Sequence, residues 1–189
     1  MMLERILPKS KSLIESISAP GDIFIDATCG NGHDTKFLSE LATDTGHVYS
    51  FDIQQAAIDS ARENTDGQTN ITFIKDSHAN VQEYVSSAVT GAMFNLGYLP
   101  KGDKSITTTP DSTLTALHHI FELLKIGGRI VIVVYHGHPE GKIEKDALIE
   151  QLHLWPQNIC QVLEYRFINQ QNHAPFIICI EKLKEGSLS

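Results

Sequence analysis

The segment Asp26-Ala27-Thr28-Cys29-Gly30-Asn31-Gly32 brings a carboxylate, small side chains and two closely spaced glycines into one short stretch. Gly30 and Gly32 let a backbone turn sharply and approach a ligand closely, and a helix starting just after them offers N–H groups with no partner inside the helix. Two further carboxylates, Asp52 and Asp76, each close a short apolar run. At such a strand end Asp52 can accept hydrogen bonds from both hydroxyls of a ribose, and Asp76 is placed to meet an adenine. Asn95 closes a fourth apolar run. An amide oxygen there can accept an N–H from an amine and leave the amine lone pair aimed at an electrophile. Tyr98 can stack on a base or sugar. His136, with Tyr135 before it, is the candidate to take a proton.

The elements that must position these residues follow from periodicity. Apolar spacing predicts helices over residues 3–18, 36–41, 54–64, 81–85, 113–124 and 143–152, with Gly127-Gly128 capping the fifth. Short apolar runs predict strands over residues 23–27, 46–52, 71–76, 91–96 and 129–135. Two final strands, 161–169 and 175–183, are joined so briefly that they must form an antiparallel hairpin. Alternating strands and helices imply an α/β, doubly wound, Rossmann-like sheet, mostly parallel with one antiparallel strand from that hairpin. A ligand then binds beyond the carboxyl ends of the strands, where strand order reverses.

Composition narrows the rest. The 189 residues, 41% of them hydrophobic, fit one domain, a helical segment over 1–20 followed by a core over 21–189. The longest apolar run, residues 130–135, is too short to span a bilayer. The first residues lack the pattern of a secretory signal, so the cytoplasm is the expected compartment. Three scattered cysteines make neither a disulfide framework nor a zinc site, and His136 and His138 lack a third ligand at metal spacing, so no metal is expected. His118 and His119 are expected to pack in a helix. No nucleophile elbow or phosphate-binding loop is present. A net charge of −8 argues against bulk electrostatic binding of nucleic acid, though Lys9, Lys11, Lys101, Lys104, Lys142 and Lys145 are placed to flank the site's mouth. Thr35 stands where a dinucleotide binder carries its third glycine. It counts, with the terminal hairpin, against the alternatives of an NAD-dependent oxidoreductase or a non-catalytic nucleotide-binding module.

With these residues the chain resembles the class I S-adenosylmethionine-dependent methyltransferases over most of its length. More narrowly, residues 26–35, Asn95-Leu96-Gly97-Tyr98-Leu99-Pro100 and His136-Gly137-His138 resemble a family named for ribosomal RNA methylation. Its members include a methyltransferase of the tRNA wobble nucleoside 5-aminomethyl-2-thiouridine. The resemblance implies S-adenosyl-L-methionine as cofactor, S-adenosyl-L-homocysteine as product and the anticodon region of tRNA as substrate. A ribosomal RNA base or a small molecule is the alternative acceptor, and a homodimer would widen the RNA footprint. It also implies that Asp26, Cys29, Gly30, Asn31 and Gly32 line the methionine part, with Asp34 and Thr35 closing over it. Asp52 with Gln54 would hold the ribose, Asp76, Ser77 and His78 would frame the adenine, and Asn95 would meet both cofactor and acceptor. Helix capping is the alternative for Asp34 and Thr35, and a solvated loop for Ser77 and His78. Methyltransferases of base amines commonly follow the Asn with two prolines and an aromatic. Here Leu96 and Gly97 replace the prolines, which leaves room for a flexible aminomethyl arm.

Overall fold

A computed structural model describes residues 2–97 and 109–188. Helices α1 (Ile6–Glu15), α2 (His33–Ala42), α3 (Gln55–Asn64), α4 (Pro110–Leu123) and α5 (Pro139–Leu152) alternate with strands β1 (Ile23–Asp26), β2 (His47–Phe51), β3 (Ile71–Ile74), β4 (Val89–Leu96) and β5 (Leu124–Val134). Strands β6 (Cys160–Tyr165) and β7 (Phe176–Lys182) close the chain. All seven strands form one sheet in the order β3-β2-β1-β4-β5-β7-β6. The first five pair in parallel, and β7 runs antiparallel to both β5 and β6. This is the doubly wound sheet that the sequence pattern implied.

The continuous apolar run in β5 has a simple cause: both faces of the strand are covered. Ile130, Ile132 and Val134 join a core with Phe94 of β4 and with Leu117, Ile120 and Phe121 of α4. Val131 and Val133 face the other way, into a core with Phe24 of β1, Leu38 of α2 and Ile6 and Ile14 of α1. Ile6, Ser10 and Ile14 are the buried stripe of α1. Pro8 sits in the first turn of that helix, where its missing N–H would have had no partner. Arg129 fixes α1 to the sheet by donating to the Leu13 carbonyl at 2.8 Å and to Glu181 at 2.7 Å.

Several expected boundaries move. Helix α1 spans Ile6–Glu15 only, and α2 starts three positions earlier than expected, at His33. α4 opens at Pro110, because Thr109 and Ser112 form a reciprocal capping box and proline suits the first helical position. The same preference starts α5 at Pro139. The segment expected as a helix over 81–85 is a 3₁₀ turn, His78–Glu83, whose start Ser77 caps by accepting from the Ala79 N–H. Gly127 and Gly128 do not cap α4. The helix ends at Leu123, β5 begins at Leu124, and Gly127, at φ +81°, takes part in an irregularity that shifts the pairing of β5 with β4. β6 ends at Tyr165, so residues 166–175 form a longer joint than the expected hairpin turn.

Candidate functional site

Strand order reverses between β1 and β4, and a cleft of about 890 Å³ opens at their carboxyl ends. That size lies within the range of small-molecule binding clefts. Its floor is the turn between β1 and α2, where Gly30 (φ +52°) and Gly32 (φ +80°) both adopt the left-handed conformation. A Cβ on Gly32 would come within 2.8 Å of Ala61, so only glycine lets α3 pack this closely. Asn31 is turned toward α3, accepting from Ser60 at 3.3 Å and, through its carbonyl, from Asn64 at 3.1 Å.

Asp52 ties β2 to this turn. Its Oδ2 accepts the Gly30 N–H at 3.0 Å and its Oδ1 accepts the Gln54 N–H at 2.9 Å. Asp76, just beyond β3, accepts from the Ser77 N–H (2.7 Å), Asn80 Nδ2 (3.0 Å) and the Tyr84 hydroxyl (2.8 Å). The Tyr84 hydrogen bond is the main reason its carboxyl lies below the usual range. His78 is buried, and its Nδ1 lies 2.8 Å from the Ala27 carbonyl. A carbonyl only accepts, so Nδ1 carries the proton. Burial pushes the ring's pKa down, leaving Nε2 a neutral buried acceptor without a hydrogen-bond partner among the described residues.

Asp26 and Thr35 lie beneath the cleft and do not line it. Both are fully buried, and the Thr35 hydroxyl donates to Asp26 Oδ2 at 2.6 Å and bonds the Ser50 hydroxyl at 2.8 Å. Thr35 therefore supports Asp26 and does not close over a ligand; because α2 starts at His33, its side chain turns inward. Gly32 supports the turn from below in the same way. Neither Asp34 nor Thr35 caps α2. Burial and the nearby Asp34 charge push the Asp26 carboxyl up to about 7, against the opposing hydrogen bonds from Thr35 and Thr28. Burial likewise pushes the Cys29 thiol up to about 12, so Cys29 lines the cleft as an inert wall.

Opposite the floor stands Asn95 near the end of β4. Its backbone N–H donates to the Thr28 hydroxyl at 2.7 Å and its Nδ2 donates to Asp34 Oδ2 at 2.6 Å. Beyond β5, His136 lines the cleft with its Nε2 3.1 Å from the Ala174 carbonyl, which leaves Nδ1 as the accepting nitrogen. Partial burial lowers the pKa of this ring. Tyr98, Lys101 and Lys104 lie outside the described residues.

The cleft also has walls that sequence reasoning missed or only touched. Leu7, Ser10 and Lys11 of α1 form one, with the Lys11 Nζ 5.0 Å from the centre of the Phe37 ring. Lys9 pairs with Glu4 instead, and Lys145 with Asp146. His173 forms another wall, its ring centre 5.7 Å from that of His136, on a joint where Asn172 and His173 both have positive φ. His118 packs on Trp155, and His119 Nδ1 bonds the Ala79 carbonyl. Among the described residues no cluster of His, Cys, Asp or Glu could hold a metal ion, and no helix is long and apolar enough to cross a membrane.

Residues 48–181 match the family described as "Putative rRNA methylase". The chain belongs to that family. Members of the rRNA methylase family share its architecture closely. The crystal structure of one from Clostridium thermocellum is 41% identical and superposes with a TM-score of 0.94, covering 97% of this chain and 100% of that one. A methyltransferase-like protein from Streptococcus mutans, solved in complex with SAH, is also 41% identical, with a TM-score of 0.90 over 96% of this chain and 100% of that one. The seven-stranded sheet is thus the class I methyltransferase fold. Among curated proteins, the chloroplastic tRNA (mnm(5)s(2)U34)-methyltransferase of Arabidopsis thaliana is 39% identical over 71% of this chain and 54% of that protein. The chain spans about half the length of that relative.

Proposed function

We propose that the protein is an S-adenosylmethionine-dependent RNA N-methyltransferase acting on the aminomethyl group of 5-aminomethyl-2-thiouridine at the wobble position of tRNA. The observation that carries this reading is the pairing of two walls. One holds the Asp52 carboxylate and the doubly left-handed glycine turn, and the other presents the Asn95 amide. The SAH-bound relative and the plant tRNA enzyme support it.

The residues present fit the cofactor. Free N–H groups at the start of α2, the Asp52 oxygens and the buried acceptor His78 Nε2 are the groups that an amino-acid carboxylate, a ribose and an amino-purine need. Cys29, Gly30 and Asn31 would hold the methionine part over Asp26 and Gly32. Asp52 and Gln54 would hold the ribose, and Asp76, Ser77 and His78 the adenine. S-adenosylmethionine supplies an electrophilic methyl on a sulfonium when bound. Asp34, Asp52 and Asp76 line the cleft and favour a cationic amine over a neutral base amine. Asn95 Oδ1 accepts an N–H of that amine and aims its lone pair. His136 Nδ1, neutral because burial disfavours its charge, is the atom that takes the surplus proton. Tyr98 is proposed to stack on the acceptor base. A homodimer would enlarge the RNA contact beyond one chain of net charge −8.

Labelled methyl transfer to total tRNA and, separately, to ribosomal RNA tests the reading, with both RNAs from cells lacking the gene and nucleosides read by mass spectrometry. The expected label lies in a tRNA nucleoside one methyl heavier than 5-aminomethyl-2-thiouridine. Label in ribosomal RNA alone overturns the tRNA acceptor in favour of a ribosomal base.

A further inference from the structure

The Asn95 side-chain amide is nearly symmetric in shape and opposite in chemistry at its two ends. With Oδ1 toward an amine it accepts an N–H and leaves the amine lone pair free. Flipped, it presents Nδ2, whose N–H would bind that lone pair and quench the nucleophile. Rotation about one bond separates a productive site from an inhibited one, so a neighbour must choose between them.

That neighbour is Asp34. Its Oδ2 receives the Asn95 Nδ2–H at 2.6 Å, and a hydrogen bond to a carboxylate is stronger than one between neutral groups. A carboxylate oxygen accepts and does not donate, so only the amide's nitrogen end can face it, and Oδ1 is turned away from Asp34. The backbone on the same residue is held by Thr28 at 2.7 Å. Asp34 stands in the first turn of α2, where the helix terminus favours a negative charge, and it lines the cleft beside Asn95. Among the described residues no hydrogen bond engages Asn95 Oδ1 or Asp34 Oδ1.

We propose that Asp34 is a positioning residue that locks Asn95 in the one amide orientation presenting Oδ1 to the acceptor amine. The inference rests on the role given above to Asn95, and it moves Asp34 from holding the cofactor to aligning the acceptor. Acceptors of this site must then carry an N–H to give and a lone pair to spare, which is the chemistry of a primary or secondary amine.

Three variants test it, read by kcat, KM for the RNA and affinity for S-adenosylhomocysteine. Asp34→Ala should lower kcat about tenfold or more while KM and S-adenosylhomocysteine affinity stay within about twofold. Asn95→Asp places two carboxylates at hydrogen-bond distance and should lower kcat further. The exchange Asp34→Asn/Asn95→Asp restores a donor facing an acceptor and leaves a carboxylate oxygen where Oδ1 was, so it should recover at least tenfold over Asn95→Asp alone. An exchange no better than Asn95→Asp overturns the proposal. So does an Asp34→Ala enzyme with full kcat and tenfold weaker S-adenosylhomocysteine binding, which would make Asp34 a cofactor ligand. If the wild type methylates neither RNA, the proposed function fails, but the Asp34 contact is still tested by the Asn95 side-chain amide signals in a ¹⁵N spectrum. A downfield proton lost in Asp34→Ala supports the lock, and identical signals in both proteins overturn it.

Discussion

On the β1-β2-β3 side of the cleft the polar groups are tied to one another before any ligand arrives, whereas on the β4-β5-β7 side they lean on few partners. Asp52 holds Gly30 and Gln54, Asp76 is held by Ser77, Asn80 and Tyr84, and Asp26 rests under Thr35. Across the cleft, among the described residues, the Asn95 side chain is held by Asp34 and His136 by one carbonyl of the β6-β7 joint, and Tyr135 is 38% exposed. A wall preorganised by redundant bonds suits a ligand that never varies. A wall with one bond per functional group suits an acceptor that must be brought in, aligned and released.

The sharpest way to break that division is Asn95→Ala. If the amide only aligns the acceptor, kcat should fall by about 10²-fold or more while S-adenosylhomocysteine binds nearly as before, measured by single-turnover kinetics and calorimetry. Equal losses in both would show that the two walls are not separate. Asp52→Ala probes the opposite wall. It removes the proposed acceptor for the ribose and also orphans the Gly30 N–H, so S-adenosylhomocysteine should bind about tenfold to a hundredfold more weakly, in line with roughly 1.5–3 kcal/mol for hydrogen bonds to a charged group. Its kcat at saturating cofactor should change only a few-fold. Unchanged affinity would remove Asp52 from the cofactor wall.

The same contrast explains what the sequence could reveal. The geometry of the β1-β2-β3 wall is legible because it is local: one glycine turn and carboxylates at the ends of successive strands, each readable from a run of a few residues. The place of Thr35 is not legible locally because it depends on where α2 begins, and a start at His33 turns it inward toward Asp26. Gly127 resembled a helix cap because glycine after a helical pattern is common there, yet tertiary pairing with β4 extended the strand through it. His173 and, in α1, Leu7 and Ser10 carry no local signal. Residues 166–175 and α1 reach the cleft only through long-range packing, α1 by way of Arg129 and the joint by way of His136. Lys11 lines the cleft, but Lys9, two positions before it, turns to Glu4, a distinction of helix phase.

Asp26 offers a smaller and pH-dependent test. Its carboxyl, pushed up to about 7, holds a proton in the ligand-free fold that the unfolded chain would lose near 3.8. The fold binds more protons across that window, so this contribution to stability is complete below about pH 3.8 and lost as pH rises through about 7. A cationic cofactor above the turn favours the ionised carboxylate, so binding below pH 7 should release a proton. Affinity for S-adenosylhomocysteine, which keeps the ammonium group, should therefore rise by less than about tenfold per unit between pH 5.5 and 7.5 and then level off. Calorimetry in two buffers of different ionisation enthalpy at pH 6 measures the release directly. Asp26→Asn should abolish it, and a wild type that releases no proton would show that Asp26 does not sense the ligand.

The smallest effect is expected where the cofactor wall is most redundant. The Tyr84 hydroxyl is the main cause of the lowered Asp76 carboxyl, with Asn80 and Ser77 behind it. Tyr84→Phe should let that pKa climb toward the ordinary 3.8, read by NMR titration of the carboxyl. Because the pKa is depressed in the fold, the stability it contributes is present above pH 3.8 and fades as pH falls through the lowered value. At neutral pH Asp76 stays ionised with two donors still in place, and the lost bond lies at an exposed edge where water replaces it. S-adenosylhomocysteine affinity should thus move by no more than about threefold. A loss matching that of Asp52→Ala would mean that each bond of this wall is as indispensable as the Asp34 contact to the Asn95 side chain, and the division between a redundant wall and a sparse one would collapse.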